Sequence, residues 1–578
     1  MKKVLSILLC LSLLVSVIGF AAADELKVVT IGLNHSSDLD GGKWYSSNEL
    51  KVLQEQYGIK IEYVYYDSEQ YANLIAGGDF PDIMTANDTY LQTIRDNNWA
   101  LNLDEYQDKL PHVFSETYTQ TNQLSRDLLG GEEKKLLFLF PGIGPENTNG
   151  NDNDGWGIKV RWDLYKELGY PEINTADDWI QVMKDMVALY PETESGEKVY
   201  GIGTWNAFSR FYQTGCMLVE GGNLNPWVYG GTMYMSGWED TVLYNGYTNT
   251  ERSAYWTAMK FFNKCWREGL FDEDSFVMTS DELKAKVRAG RYVSAVPYEG
   301  KELYPEVSKD DPETLMAIVN VGAPAAFVFA NKLQLTGNAP SDNLWVNAKC
   351  KDLDATLQVL DFFSDPDTIR MMYNGIKGVD WDYDENGKPY ITEKGLKDIA
   401  DYGRSTPEYY EATGIYGQIC EFIRFVDTGV HPDGYTYNLT ETFDVRAQTL
   451  NSWQKDYSEH YGVSCPSEYL VQTVKEGKTN DLSNDYGQMI ALAFPTTPTD
   501  IKMIMDECAK IAQEAMPELI MAKTDEEFEA VQQRLFEEWE EAGESEAWAW
   551  AEKTFNDAKA GMQPVFEEAH NAFMETLK

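Results

Sequence analysis

The sequence predicts an α/β protein of two doubly wound lobes joined by a hinge, with a helical C-terminal region. Three observations predict it. Residues 26–84 read as strand, loop, helix, strand, helix, strand, the order of a parallel sheet wound with helices. PGIGPENTNGNDNDG, Pro141 to Gly155, is rich in Gly, Asn and Pro and lacks any apolar period, so it reads as a linker. After it the α/β signals resume.

The first strand is LKVVTIGLN, β-branched and alternating, ending at Asn34-His35. A polar loop, SSDLDGGKWYSS, leads into the helix NELKVLQEQYG, which Gly58 closes as a left-handed cap. IKIEYVYY is the second strand and SEQYANLIAGGDF a short helix. Next comes GGDFPDIMTANDTY, Gly77 to Tyr90. Two glycines give the chain freedom to turn, and Pro81 disfavours helix at the residue before it. Pro81 to Met84 is a brief strand, and Thr85 to Tyr90 a loop of hydrogen-bonding side chains. Open α/β sheets bind ligands at the carboxyl ends of their strands. The loop with Asn34, His35 and Trp44 and the loop with Asn87 and Asp88 therefore open on one edge.

In the second half, WGIKVRWDLYKELG gives a strand and a short helix. PEINTADDWIQVMKDMVALYP gives a helix with Thr175 as N-cap and Asp178 at its third position. Its stripe of Trp179, Val182, Met183, Met186, Val187 and Tyr190 is core-facing. Aromatics then crowd together at Trp205, Phe208, Phe211, Tyr212, Trp227, Tyr229, Tyr234, Trp238 and Tyr244. The surrounding sequence, GGNLNPWVYGG among it, reads as loop, and aromatics in loops make stacking surfaces; at least two are expected to face a ligand. Two helices and the strand RYVSAVPYEG follow, then MAIVNVGAPAAFVFA as a crossing strand. NLWVNAKCKDLDATLQVLDFFSDPDTIRMMYNG repeats a strand followed by a helix pair. The last hundred or so residues are helical, with Thr524 capping a helix that has Glu527 at its third position.

Composition narrows the function. With 94 acidic against 48 basic residues the formal charge is −46, which repels nucleic acid and anionic lipid and suits neutral or cationic ligands. The N-terminus has Lys2 and Lys3, an apolar run from Val4 to Phe20, and Ala21-Ala22-Ala23, the pattern of a secretory signal peptide cleaved after Ala23. Cys10 lies behind Leu9, without the small residue that a lipoprotein signal places there. Cys216, Cys265, Cys350, Cys420, Cys465 and Cys508 are widely spaced with no CxxC; one or two disulfides and buried free thiols both fit. The five histidines are scattered, which argues against a histidine metal centre.

Five separated motifs carry a resemblance: GGDFPDI, WGIKVRWDLYKELG with its following Pro, Thr and Trp, AYWTAMKFFNKCWREGLFDED, GIKGVDWDYDENGKPY, and FPTTPTDIKMIM followed by IMAKTDEEFEA. Together they resemble the extracellular solute-binding proteins of ABC importers, the large carbohydrate-binding group related to maltose-binding protein. The resemblance implies a periplasmic-binding-protein-like type II fold that closes on its ligand about a hinge. It implies residues 24–142 and 320–375 in the first lobe, and 143–319 and 376–578 in the second, after a signal peptide at 1–23. It also implies that the loop after the Gly-Asp-x-Pro-Asp strand touches sugar hydroxyls, here at Asn87, Asp88 and Tyr90. Some alginate-type relatives carry a calcium loop where this chain reads YPETESGEKVYG, which has few such ligands. Asn151 to Gly155 and Asp382 to Gly387 are Asx-rich but match no complete calcium loop, so no cofactor or metal is expected.

Sugar binding needs rings to stack on pyranose faces and fixed polar groups to pair with hydroxyls. Aromatic content is 13%, with 16 Trp and 35 Tyr. The expected ligand-binding residues are Trp44, Asn87 and Asp88 from the first lobe and Trp205, Trp227, Tyr298, Glu299 and Trp381 around the cleft, with Asp342 and Trp345 in SDNLW. The expected function is capture of a neutral oligosaccharide by an exported, monomeric receptor at the cell envelope, which delivers it to ABC permease membrane subunits. An exported glycoside hydrolase needs a carboxylate pair at defined separation, which 94 acidic residues leave open. A peptide cargo for the same receptor fold is the other alternative. The order of elements does not fit eight βα units, and no Ser-His-Asp, P-loop or dinucleotide signature stands in a strand–helix context.

Overall fold

The computed structural model describes residues 26–33, 47–86, 88–140, 144–145, 157–219, 224–226, 228–229, 231–237, 240–297, 315–322, 327–328, 333–334, 343–403, 406–415, 430–481 and 486–576. The first half contains β1 (Lys27–Leu33), α1 (Asn48–Tyr57), β2 (Ile59–Tyr65), α2 (Ser68–Gly77), β3 (Ile83–Ala86), α3 (Asp88–Asp96) and α4 (Thr119–Leu129). β1 pairs in parallel with β2 and β3, from Lys27↔Ile59 to Leu33↔Tyr65 on one side and at Ile31↔Ile83 on the other. As expected, Gly58 ends α1 in the left-handed region, at φ 67.

The chain passes to a second sheet through β4 (Gly144–Pro145) and β5 (Lys159–Arg161). There follow α5 (Trp162–Glu167), α6 (Ala176–Leu189), α7 (Phe208–Leu218), β6 (Leu224–Asn225), β7 (Tyr234–Gly237), β8 (Leu243–Asn245), α8 (Ala254–Arg267), α9 (Ser280–Arg288), β9 (Ser294–Ala295) and β10 (Ile318–Asn320). The second sheet is mixed. β5 runs antiparallel to both β9 and β10, while single bridges at Tyr200↔Tyr292 and Ile202↔Phe271 are parallel. The Thr175 capping box with Asp178 forms as predicted, and Trp179 and Met183 on that helix are fully buried.

The return runs through β11 (Phe327–Val328) and β12 (Leu333–Gln334), the latter pairing with β4, to β13 (Asn343–Val346). β13 joins the first sheet antiparallel to β3, completing the order β13-β3-β1-β2. α10 (Leu353–Phe362) and α11 (Pro366–Asn374) then pack in the first core with Val29, Ile31, Leu53 and Ile61.

Past residue 375 the chain stays in contact with first-lobe helices. β14 (Trp381–Tyr383), β15 (Pro389–Ile391), α12 (Glu393–Tyr402) and α13 (Pro407–Thr413) enclose a small core of their own, docked on first-lobe helices. Asn48 of α1 donates from its backbone to Gly414 O at 3.0 Å and from Nδ2 to Thr413 O at 3.1 Å. The fully buried Arg370 of α11 donates to Asp433 Oδ1 at 3.1 Å and to Thr436 O at 3.0 Å, and Asn374 Nδ2 donates to Tyr437 O at 2.7 Å. Buried polar groups are hydrogen-bonded, and these bonds dock the segment on α1 and α11. Polar pairing between residues far apart in sequence leaves no local signature.

Beyond it lie α14 (Ser452–Tyr461), α15 (Pro466–Lys475), β16 (Asn480–Asp481), α16 (Thr499–Ile520), α17 (Asp525–Ala542) and α18 (Glu544–Thr576). The last three form the expected helical end, and α16 and α17 pack on α8. Asn263 of α8 donates to the carbonyls of Leu519, Ile520 and Ala522 at 3.2, 2.9 and 2.8 Å, satisfying groups that α16 leaves open at its C-terminus. Cys216, Cys265, Cys465 and Cys508 are buried thiols and Cys350 a half-buried one, all unpaired; Cys420 lies outside the described residues.

Candidate functional site

The GGDFPDI motif is scaffold for the ligand edge of the first sheet. Asp82, 3% exposed, accepts from the Thr30 amide at 2.9 Å, the Thr30 hydroxyl at 2.7 Å and the Lys351 amide at 2.9 Å. One carboxylate thus ties β1, β3 and the segment after β13. Phe80 packs in the core with its centroid 4.9 Å from Trp99 and 5.1 Å from Trp345. Gly32 is required opposite, because a Cβ there would sit 2.8 Å from Pro81 Cγ. At the carboxyl ends of these strands stand Tyr66 and Tyr90, both half-buried. Tyr71 buttresses Tyr90. Its hydroxyl donates to Thr85 O at 2.9 Å and its ring stacks on Tyr90 at 5.2 Å.

The same edge holds a group that the sequence reading missed. Glu49, in the first turn of α1, is 1% exposed, and neither carboxyl oxygen makes a hydrogen bond of good geometry. Burial pushes its pKa up to about 7; the neighbouring Ser47 hydroxyl and its own amide offset part of that rise. A carboxyl group poised there donates a proton in one state and accepts hydrogen bonds in the other. The signal that could have found it is an acid opening the helix that follows the first strand's loop.

In the second lobe Trp205 follows the Ile202↔Phe271 bridge and precedes α7, so it too stands where a strand gives way to a helix. It is half-buried, rests on the core of Met278, Leu283, Tyr292 and Ile318, and has the Arg210 guanidinium 5.8 Å from its ring centroid. Gly203 lets the chain pass close to Tyr292, whose ring would be 2.6 Å from a Cβ. The edge of this lobe thus carries one part-exposed ring beside one cation.

The remaining expected residues divide. Trp44, Asn87, Trp227, Tyr298, Glu299 and Asp342 lie outside the described residues, as does the side chain of Asp88. Trp345 and Trp381 are corrected: at 0% and 2% exposure both rings are core. Trp345 packs edge-on to Phe80, and Trp381 donates from Nε1 to Gly375 O at 3.0 Å within the small core around β14. Neither offers a face for stacking. The aromatic run divides as well. Residues 208–218 are helix α7, and Phe211, Tyr212, Tyr229 and Tyr234 are buried, leaving Trp205, Phe208 and Tyr244 half-buried. In the Asp382–Gly387 stretch, Asp384 accepts from the Asn386 and Lys388 amides at 2.9 and 2.8 Å, so that carboxylate shapes the turn between β14 and β15. Among the described residues no three His, Cys, Asp or Glu side chains gather to hold a metal.

A parallel first sheet with one antiparallel return strand, a second mixed sheet, paired crossing strands and a helical end define a periplasmic-binding-protein-like α/β fold, the fold of ABC-transporter solute-binding proteins. No protein-family model and no curated protein matches the sequence. Solved structures do match in fold. Over 92% of this chain and 99% of the other, it is similar to an HMO-binding, ABC-transporter-associated solute-binding protein from Bifidobacterium longum infantis, at 14% identity and a TM-score of 0.58. It is similar to the ABC-transporter substrate-binding protein FusA of S. pneumoniae in complex with kestose, over 93% and 100% of the two chains, at 14% identity and a TM-score of 0.57. The N-glycan transport solute-binding protein NgtS of Streptococcus pneumoniae matches over 92% and 99%, at 13% identity and a TM-score of 0.51. All three are binding proteins by description. No helix among the described residues is long and apolar enough to cross a membrane.

Proposed function

We propose that the protein is the exported binding component of an ABC importer, which captures a neutral oligosaccharide between its lobes and hands it to the membrane permease unchanged. The observation that carries this reading is the fold likeness, which runs over more than nine-tenths of the chain to receptors described as binding HMO, kestose or N-glycans. The edge chemistry supports it. Tyr66 and Tyr90 on one lobe and Trp205 on the other provide ring surface, and Arg210 is a polar group beside Trp205. The net charge of −46 disfavours an anionic cargo. Capture as a monomer, without cofactor or metal, and export by the signal peptide at residues 1–23 belong to the same proposal.

Calorimetry with manno-, xylo-, malto- and fructo-oligosaccharides tests it. At least one series binds, and Trp205→Ala weakens that binding about tenfold through loss of ring contact. Unchanged affinity in the variant removes Trp205 from the site. Release of shorter sugars after long incubation makes the protein a hydrolase instead.

A further inference from the structure

The meander β6–β8 lies strapped along the first half of α18. Tyr234 donates to Glu544 Oε1 at 3.0 Å, and Asn245 Nδ2 donates to the same oxygen at 2.8 Å. One turn pair further along, Tyr229 donates to Ala551 O at 2.9 Å, and beyond that Lys559 donates to Thr241 O at 2.6 Å at the β7–β8 turn. The strap buries Glu544 to 2% exposure, and burial raises its carboxyl above the usual range although Asn245 and Tyr234 pull it back.

Where the strap meets the start of α18 a cavity of about 280 Å³ opens, near the lower end for small-molecule sites. Three groups in its lining make no hydrogen bond among the described residues: Glu544 Oε2, Asn249 Nδ2 and Trp548 Nε1. Asn249 is held in place. Its Oδ1 accepts from the amides of Glu251 and Arg252 at 3.1 and 2.9 Å, which turns the NH2 group outward. Trp548 is half-buried and backed by Tyr234 at 5.4 Å, so its ring is fixed as well. The cavity therefore combines one acceptor, two donors and a rigid ring.

We infer that this cavity is a second ligand site, taking a single neutral pyranose ring; the class of ligand rests on the saccharide reading above. An anion is repelled by Glu544. An ammonium ion pairs with Glu544 but has nothing to accept from Asn249 or Trp548, so it uses one of the three groups. A sugar hydroxyl donates and accepts, so vicinal hydroxyls satisfy all three groups while the C–H face lies on the indole. The volume suits one ring rather than a chain.

The test is 19F NMR of the full chain labelled with 5-fluorotryptophan, with the Trp548 line assigned by Trp548→Phe. Glucose, galactose, mannose and N-acetylglucosamine are titrated in turn, with methylammonium as the cation probe. Saturable movement of the Trp548 line by at least one hexose is expected, weakened about tenfold in Asn249→Ala. The other tryptophan lines, unmoved by either substitution, report that the variants fold. A Trp548 line that no hexose moves, or only methylammonium moves, overturns the site, as does an Asn249→Ala variant that binds hexose as wild type does. Calorimetry with oligosaccharides on the same samples reports the cleft separately. Oligosaccharide heat with a silent Trp548 line rejects only the second site; a responsive line without that heat rejects only the cleft reading.

Discussion

Replacing Glu49 by Gln makes the protein more stable in mild alkali and leaves it unchanged in acid. Glu49 is fully buried, and its carboxyl titrates at about 7 instead of 4.5. A folded-state pKa raised above the unfolded one means that the folded protein holds the proton more tightly. The stability this proton contributes is complete below pH 4.5 and is lost as pH rises through 7. Two and a half pH units correspond to about 3 kcal/mol by pH 8. Gln is isosteric with the protonated acid and carries no charge to desolvate, so it removes the slope. The assay is urea unfolding of wild type and Glu49→Gln at pH 4.5, 6, 7 and 8, monitored by tryptophan emission. The variant is expected to match wild type at pH 4.5 and to gain progressively up to pH 8. Parallel pH profiles for the two proteins would refute the reasoning and mean that Glu49 is ionised and well paired in the folded state.

Asp82→Ala strands the Thr30 amide, the Thr30 hydroxyl and the Lys351 amide inside the first lobe; a loss of about 3 kcal/mol in urea unfolding is expected, and a loss under 1 kcal/mol would mean that water replaces the carboxylate. Gly215→Ala places a Cβ 1.8 Å from the Ala254 carbonyl oxygen, a backbone atom that cannot swing away. The α7–α8 pair must separate, at a cost of about 3 kcal/mol, again read by unfolding. Arg370→Leu leaves Asp433 half-buried without its guanidinium partner, and the segment 377–446 is expected to become protease-sensitive before the rest of the chain.

Local features were legible in the sequence and long-range ones were not. The helix α6 with its Thr175 cap, the Gly58 stop and the α17 start at Thr524 each depend on residues within four positions, and each forms where it was read. Trp345 and Trp381 depend on partners elsewhere. A tryptophan near an edge motif reads as a ligand platform until Phe80, ahead of the neighbouring strand β3, is known to cover it. Within the aromatic run from 205 to 244, Phe211 is buried against Phe262 of α8, and Tyr229 and Tyr234 against α18, partners that come later in the chain. Glu49 was overlooked because an acid in a helix's first turn is ordinarily a solvated dipole partner. Its burial depends on tertiary packing at the start of α1, where Asn48 bonds to Thr413 O.

The central claim is that two hinged lobes close on an uncharged saccharide, and small-angle scattering with and without a bound oligosaccharide measures that closure directly. A smaller radius of gyration on adding a glycan that also releases heat is the predicted result. An unchanged profile in the presence of a glycan proven to bind would contradict closure, and absence of binding by every neutral glycan offered would contradict the function itself.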